Sequence, residues 1–91
     1  MQTVIKTTRQ AVSRVVDGQA LVLDTTRDEI RQLNEVGSLI WSMLLKSNHT
    51  REDILHEIIT QFEISSDEAS VDLNAFLDEL SALNLIEYVS P

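Results

Sequence analysis

An α+β fold, with a three-stranded antiparallel sheet followed by three helices, is what this chain predicts. Three observations predict it. An Asp-Gly pair separates two β-rich stretches near the start, and the apolar pattern changes from strand-like to helical at Leu33-Asn34. Three capped, helix-spaced apolar stripes then fill the remainder.

The elements follow in order. Residues 11–16 alternate, with Val12 and Val16 on one face and Val15 on the other, although Arg14 interrupts the first set. Asp17-Gly18 supplies the positive φ angles that a two-residue hairpin needs. Residues 19–24 form the return strand around the β-favouring Leu21-Val22-Leu23. Thr25-Thr26-Arg27-Asp28 is the next turn, and residues 29–33 make a short third strand at an edge of the sheet.

Asn34 then caps a first helix whose Val36, Leu39, Ile40, Met43 and Leu44 share one stripe. Ser47-Asn48-His49 breaks it. Thr50 with Asp53 gives an approximate capping box, and Ile54, Leu55, Ile58, Ile59 and Phe62 make the second stripe. Ser65 with Glu68 is the fuller box. Behind it Ala69, Leu73, Phe76, Leu77, Leu80 and Leu83 point one way, and Asn84 ends the third helix. Leu85-Ile86 folds back onto the core, and residues 87–91 are a tail. Strands followed by a helix-turn-helix pair suggest an arrangement of winged-helix type.

Ninety-one residues make one domain, with its core at about residues 11–87, because two pieces would each be too small to bury a useful core. The absence of cysteine excludes disulfides, zinc-thiolate sites and thiol nucleophiles, and fits a cytoplasmic protein. No apolar run approaches the roughly 20 residues of a membrane span. The opening MQTVIKTTRQ lacks the apolar segment of a secretory signal. Fifteen acidic residues against seven basic ones give a formal net charge of −8, which repels phosphate backbones and anionic lipid.

Catalysis has little to stand on. His49 and His56 have no ligand spacing around them, so neither a metal nor a cofactor is expected. Asp67, Glu68, Asp72, Asp78 and Glu79 read as dipole compensation and a solvated face. Residues 65–83 hold those five acids and no Lys or Arg, so a recognition helix would lack its chemistry and nucleic acid is not a partner. Trp41, the only tryptophan, reads as core filling against Leu23 or Leu33.

Two features remain after packing is accounted for. On the third helix, Val71, Ala75 and Ala82 lie off the buried arc beside Asp72 and Glu79, a small apolar flank bordered by acids. Residues 29–33, if at an edge, present unpaired main-chain groups that an extended peptide can join as an added strand.

The order of these elements is similar to that of PqqD-like proteins, also called RiPP recognition elements. The resemblance covers residues 12–86. It rests on a strand ending in Leu23-Asp24, on Leu33-Asn34 leading into the Ile40-Trp41 helix, and on Thr50-Arg51-Glu52-Asp53-Ile54. A third helix with Asp72, Phe76-Leu77 and Leu80 follows, and Asn84-Leu85-Ile86 closes the pattern. Two departures are Ile30, where many members carry an aromatic residue, and Asn84 in place of glycine.

The resemblance implies a non-catalytic, peptide-binding chaperone. It takes the leader of a ribosomal precursor peptide as an extra antiparallel strand and presents it to a tailoring enzyme. In the pyrroloquinoline quinone pathway that enzyme is a radical SAM protein. Carried onto this sequence, Ile30, Arg31, Gln32 and Leu33 supply the edge. Asp72, Ala75, Phe76 and Glu79, with Val71, supply the helical wall. A winged-helix transcription regulator and a homodimerisation module using the open edge are the competing readings.

Overall fold

The computed structural model describes residues 3–90. Among these residues, five strands and three helices run in the order β1 (Val4–Thr7), β2 (Ala11–Val16), β3 (Gln19–Asp24), β4 (Glu29–Gln32), α1 (Glu35–Lys46), α2 (Arg51–Phe62), α3 (Ser66–Ala82) and β5 (Ile86–Val89). The strands form two antiparallel sheets, β2-β3-β4 and β1-β5. The α+β class and the three-stranded meander are therefore as expected. The second sheet is new.

The meander is built by its turns. Asp17 (φ 52°) and Gly18 (φ 80°) both adopt the left-handed conformation, so Val16 faces Gln19 across a two-residue hairpin. In β3, Ala20, Val22 and Asp24 are buried against the helices, while Leu21 and Leu23 lie on the other face. Trp41 is 1% exposed, and its indole N–H donates to Ser13 Oγ of β2 at 2.9 Å. Leu23, expected beside it, belongs to the opposite sheet face. Each α-helix then contributes one stripe, with Ile40 and Leu44, Ile54 and Ile58, and Leu73, Leu77 and Leu80 among the buried side chains.

The caps are only partly as read from the sequence. Asn34 accepts from the Gly37 N–H at 2.8 Å. The complete capping box is that of Thr50 and Asp53, whose side chains each bond the other's backbone N–H. That N–H from Thr50 holds the Asp53 carboxyl below the usual carboxylate range, against a smaller opposing effect of desolvation. At Ser65, only the serine half of the box is made, to the Glu68 N–H. Asn84 takes the left-handed conformation (φ 61°) that closes α3.

Residues 87–89 correct the expected tail. They form β5 with Ile86, in register with β1 from Val4↔Val89 to Thr7↔Ile86. Pro91, the end of that expected tail, lies outside the described residues. Ile5 is the buried anchor of β1, and its N–H also reaches His49 O at 2.8 Å. Among the described residues, β5 thus pairs with β1 and not with β4. Among the described residues no helix is long and apolar enough to cross a membrane.

Glu63 ends α2 with φ 51° and ψ 39°, a left-handed conformation that costs an L-residue roughly 1 kcal/mol. Replacing it with Gly is expected to raise stability by about 0.5–1 kcal/mol. The check is a higher urea midpoint at unchanged slope.

Candidate functional site

β4 pairs with β3 on one side only, from Leu21↔Gln32 to Asp24↔Glu29. The Leu33 N–H donates to Ala20 O at 2.9 Å, which sets the phase of the ladder. By antiparallel alternation, the main-chain groups of Glu29, Arg31 and Leu33 turn towards β3. Those of Ile30 and Gln32 turn outwards, without a partner strand among the described residues. Pairing stops at Leu33 because the buried Ser38 hydroxyl of α1 intervenes. It accepts from the Ala20 N–H at 2.9 Å and donates to Leu33 O at 3.3 Å.

Side chains alternate in the opposite sense. Arg31 and Leu33 point towards the helices, and Ile30 and Gln32 point to the outer face, where Gln32 bonds Gln19. Arg31 Nη1 reaches Glu79 Oε1 of α3 at 2.9 Å. Both partners are substantially exposed, so this bridge is worth at most about 1 kcal/mol. It sets a resting width between strand and helix without locking it.

A groove of two adjoining depressions runs along α3, the first between it and β4 and the second between it and the start of α1. The first, of about 450 Å³, lies along residues 30–34 and is closed by Phe76, Glu79 and Leu80. The second, of about 280 Å³, is bounded by Asn34, Val36, Gly37, Ile40, Asp72, Ala75 and Phe76. Phe76 borders both. Its ring can approach α1 because position 37 is glycine: a Cβ there would stand 3.1 Å from Phe76 Cε1.

α3 is held in place along its first half and at its end. Arg51 of α2 donates to Ser70 Oγ at 2.7 Å and to Asn74 Oδ1, at the middle of the helix, at 2.8 Å. At its end, the Leu83 carbonyl accepts from Gln10 Nε2 at 2.9 Å and Arg27 Nη1 at 3.0 Å. Both donors also bind the buried Asp24 carboxylate, which accepts the Thr26 and Arg27 backbone N–H groups as well. Burial alone would push the Asp24 pKa up. The hydrogen bonds from Gln10, Arg27 and the two backbone groups outweigh it and bring the carboxyl from 3.8 to about 2. One buried carboxylate thereby ties the meander to the C-terminus of α3 and fixes the far end of the groove.

Of the residues singled out from sequence, Ile30, Arg31, Gln32, Leu33, Asp72, Ala75, Phe76 and Glu79 line the two depressions. Val71 is 68% exposed and borders neither. Asn34, Val36, Gly37, Ile40 and Leu80 are additions. They come from α1 and from the buried side of α3, and local patterning marks them as caps or core. The histidines stand apart from the groove, His49 in the α1–α2 connection and His56 exposed on α2.

The comparisons agree with this architecture. TbiB1 in complex with the TbiA(beta) leader peptide aligns over 94% of this chain and 99% of its own, at 27% identity and a TM-score of 0.83. Lasso peptide synthetase B1 complexed with the leader peptide covers 91% of this chain and 96% of its own. At 22% identity and a TM-score of 0.78, that likeness concerns the fold. No curated protein matches. The family model described as Coenzyme PQQ synthesis protein D (PqqD) matches residues 19–86, from the start of β3 to the start of β5. Most of the meander, all three helices and the groove between them fall inside that match, and the chain belongs to the PqqD family.

Proposed function

We propose that this protein captures the leader segment of a ribosomal precursor peptide and presents the attached core to a tailoring enzyme. The leader adds to β4 as a fourth, antiparallel strand and lays alternate side chains into the groove against α3. The observation that carries the reading is the outward edge at Ile30 and Gln32, unpaired among the described residues and set beside a groove of mixed polar and apolar lining. The relative TbiB1, solved with a leader peptide, supports it.

The groove offers main-chain donors and acceptors, apolar surface and one ion pair. That set holds a chain and has no paired nucleophile and base to break a bond, so the role is non-catalytic. Its advantage is effective concentration. Tethering the leader turns the meeting of core peptide and enzyme into a near-intramolecular event. The setting is the cytoplasm, where precursors are made, and the enzyme is of the radical SAM class or another modifying type.

The test uses a decapeptide selected from a randomised display library for binding this protein. Its titration is expected to shift amide resonances of residues 29–33 and 71–79. Shifts confined to the β2–β3 hairpin or to β1-β5 refute the groove. The same open edge favours a second reading, a homodimer through β4 pairing. Sedimentation at several concentrations separates the two, because added peptide dissolves an edge-paired dimer and leaves a monomer unchanged.

A further inference from the structure

The face of β2-β3-β4 turned away from the helices carries a cross-strand row that the core does not use. Register places Val12 opposite Leu23 and Leu23 opposite Ile30, all on the outer face. Val12 is 53% exposed and Ile30 70%, and with Leu21 and Leu23 they line a shallow, mostly apolar depression. The neighbouring row, Arg14–Leu21–Gln32, is polar at both ends.

Ile30 is an unusual residue for an open edge. Edges are ordinarily blunted by charge, and here both charged neighbours, Glu29 and Arg31, alternate onto the other face, where Arg31 meets Glu79. The row therefore ends on a large apolar side chain at an edge where another strand can join.

We infer that this outer face is a second specificity surface for the same peptide, reading its outward residues while the groove reads the inward ones. The inference rests on strand addition at β4. An antiparallel strand places one residue directly opposite Ile30, with its side chain continuing the Val12–Leu23–Ile30 row. That residue is apolar, β-branched or aromatic. The residue two positions before it lies opposite Gln32, beside the polar row, and is polar. Between them sits an inward residue above the Arg31–Glu79 pair. The peptide class is thus one with apolar side chains on both faces of a short extended segment. A recognition motif confined to alternate, groove-facing positions does not meet this description.

The experiment uses the library-selected decapeptide and the protein variant Ile30→Thr, which keeps a β-favouring side chain at an exposed position. Nuclear Overhauser contacts to the Ile30 methyls identify the peptide residue opposite it. Replacing that residue with Asn is expected to weaken binding to the natural protein by about fivefold. Ile30→Thr should weaken the parent peptide by a similar factor and leave the Asn peptide nearly unaffected. Equal losses in both proteins, or losses below twofold, overturn the second surface while leaving capture at the edge standing. Selected peptides that never shift residues 29–33 overturn strand addition itself, and this inference with it.

Discussion

Gln32→Pro is expected to abolish peptide capture while leaving the fold in place. The Gln32 N–H faces away from β3, so proline removes a donor that only an added strand uses. Its ring also fills the space where the peptide carbonyl would approach. Loss of that bond and the accompanying clash should cost at least about tenfold in affinity. Thermal melting should move little, because proline is tolerated on the solvent side of an edge strand. The paired control is Arg31→Pro, one residue earlier. There the N–H belongs to the β3 ladder opposite Val22, and the same substitution should break the meander. Calorimetric titration beside melting curves reads both outcomes. Undiminished affinity in Gln32→Pro would remove the β4 edge from the binding site.

Asp24→Asn should give the largest loss of stability without touching the groove lining. The carboxylate collects Gln10, Arg27 and two backbone N–H groups, and two of those donors also hold the Leu83 carbonyl. An amide in its place lacks the charge that Arg27 pairs with and can turn an NH2 group towards the donors. A drop in Tm of about 10 °C is expected. Faster hydrogen exchange at residues 83–85 would show that the α3 terminus is what loosens.

The pH dependence follows from the same site. The folded pKa, about 2, lies below the ordinary 3.8, so the contribution is fully present above pH 3.8. It is lost as pH falls from there towards 2. The natural protein should therefore lose stability steeply across that window. The Asn variant should be weaker at neutral pH and flatter between pH 4 and 2. Parallel curves would mean that another carboxylate governs acid unfolding.

The meander and the three helices were legible because each is specified over a few residues. Asp17-Gly18 needs only its own backbone preference to turn the chain. Asn34 and Thr50 announce their helices through side chains that satisfy N–H groups three residues on. The stripe of α3 follows from one residue every 100°. The edge position of β4 was also readable, since its mixed sequence contrasts with the apolar Leu21-Val22-Leu23 of the central strand.

Tertiary structure decided the rest. β1 and β5 are four residues each, and Val4 pairs with Val89, a partner that no local pattern can nominate. The assignment of Leu23 to the outer face, and of Trp41 to Ser13, depends on which side of the sheet the helices cover. Alternation gives two faces and does not say which is inside. Gly37 reads as a weak helix residue until Phe76 is seen against it. Sequence by itself determined the three strands of the meander, the helices and the edge position of β4, because hydrogen-bond capping, turn geometry and apolar spacing act between near neighbours. Only the packed molecule decided the groove's depth, the neighbours that line it and the carboxylate that anchors its far end. Those depend on distances between segments that the chain brings together only when its apolar faces are buried at once.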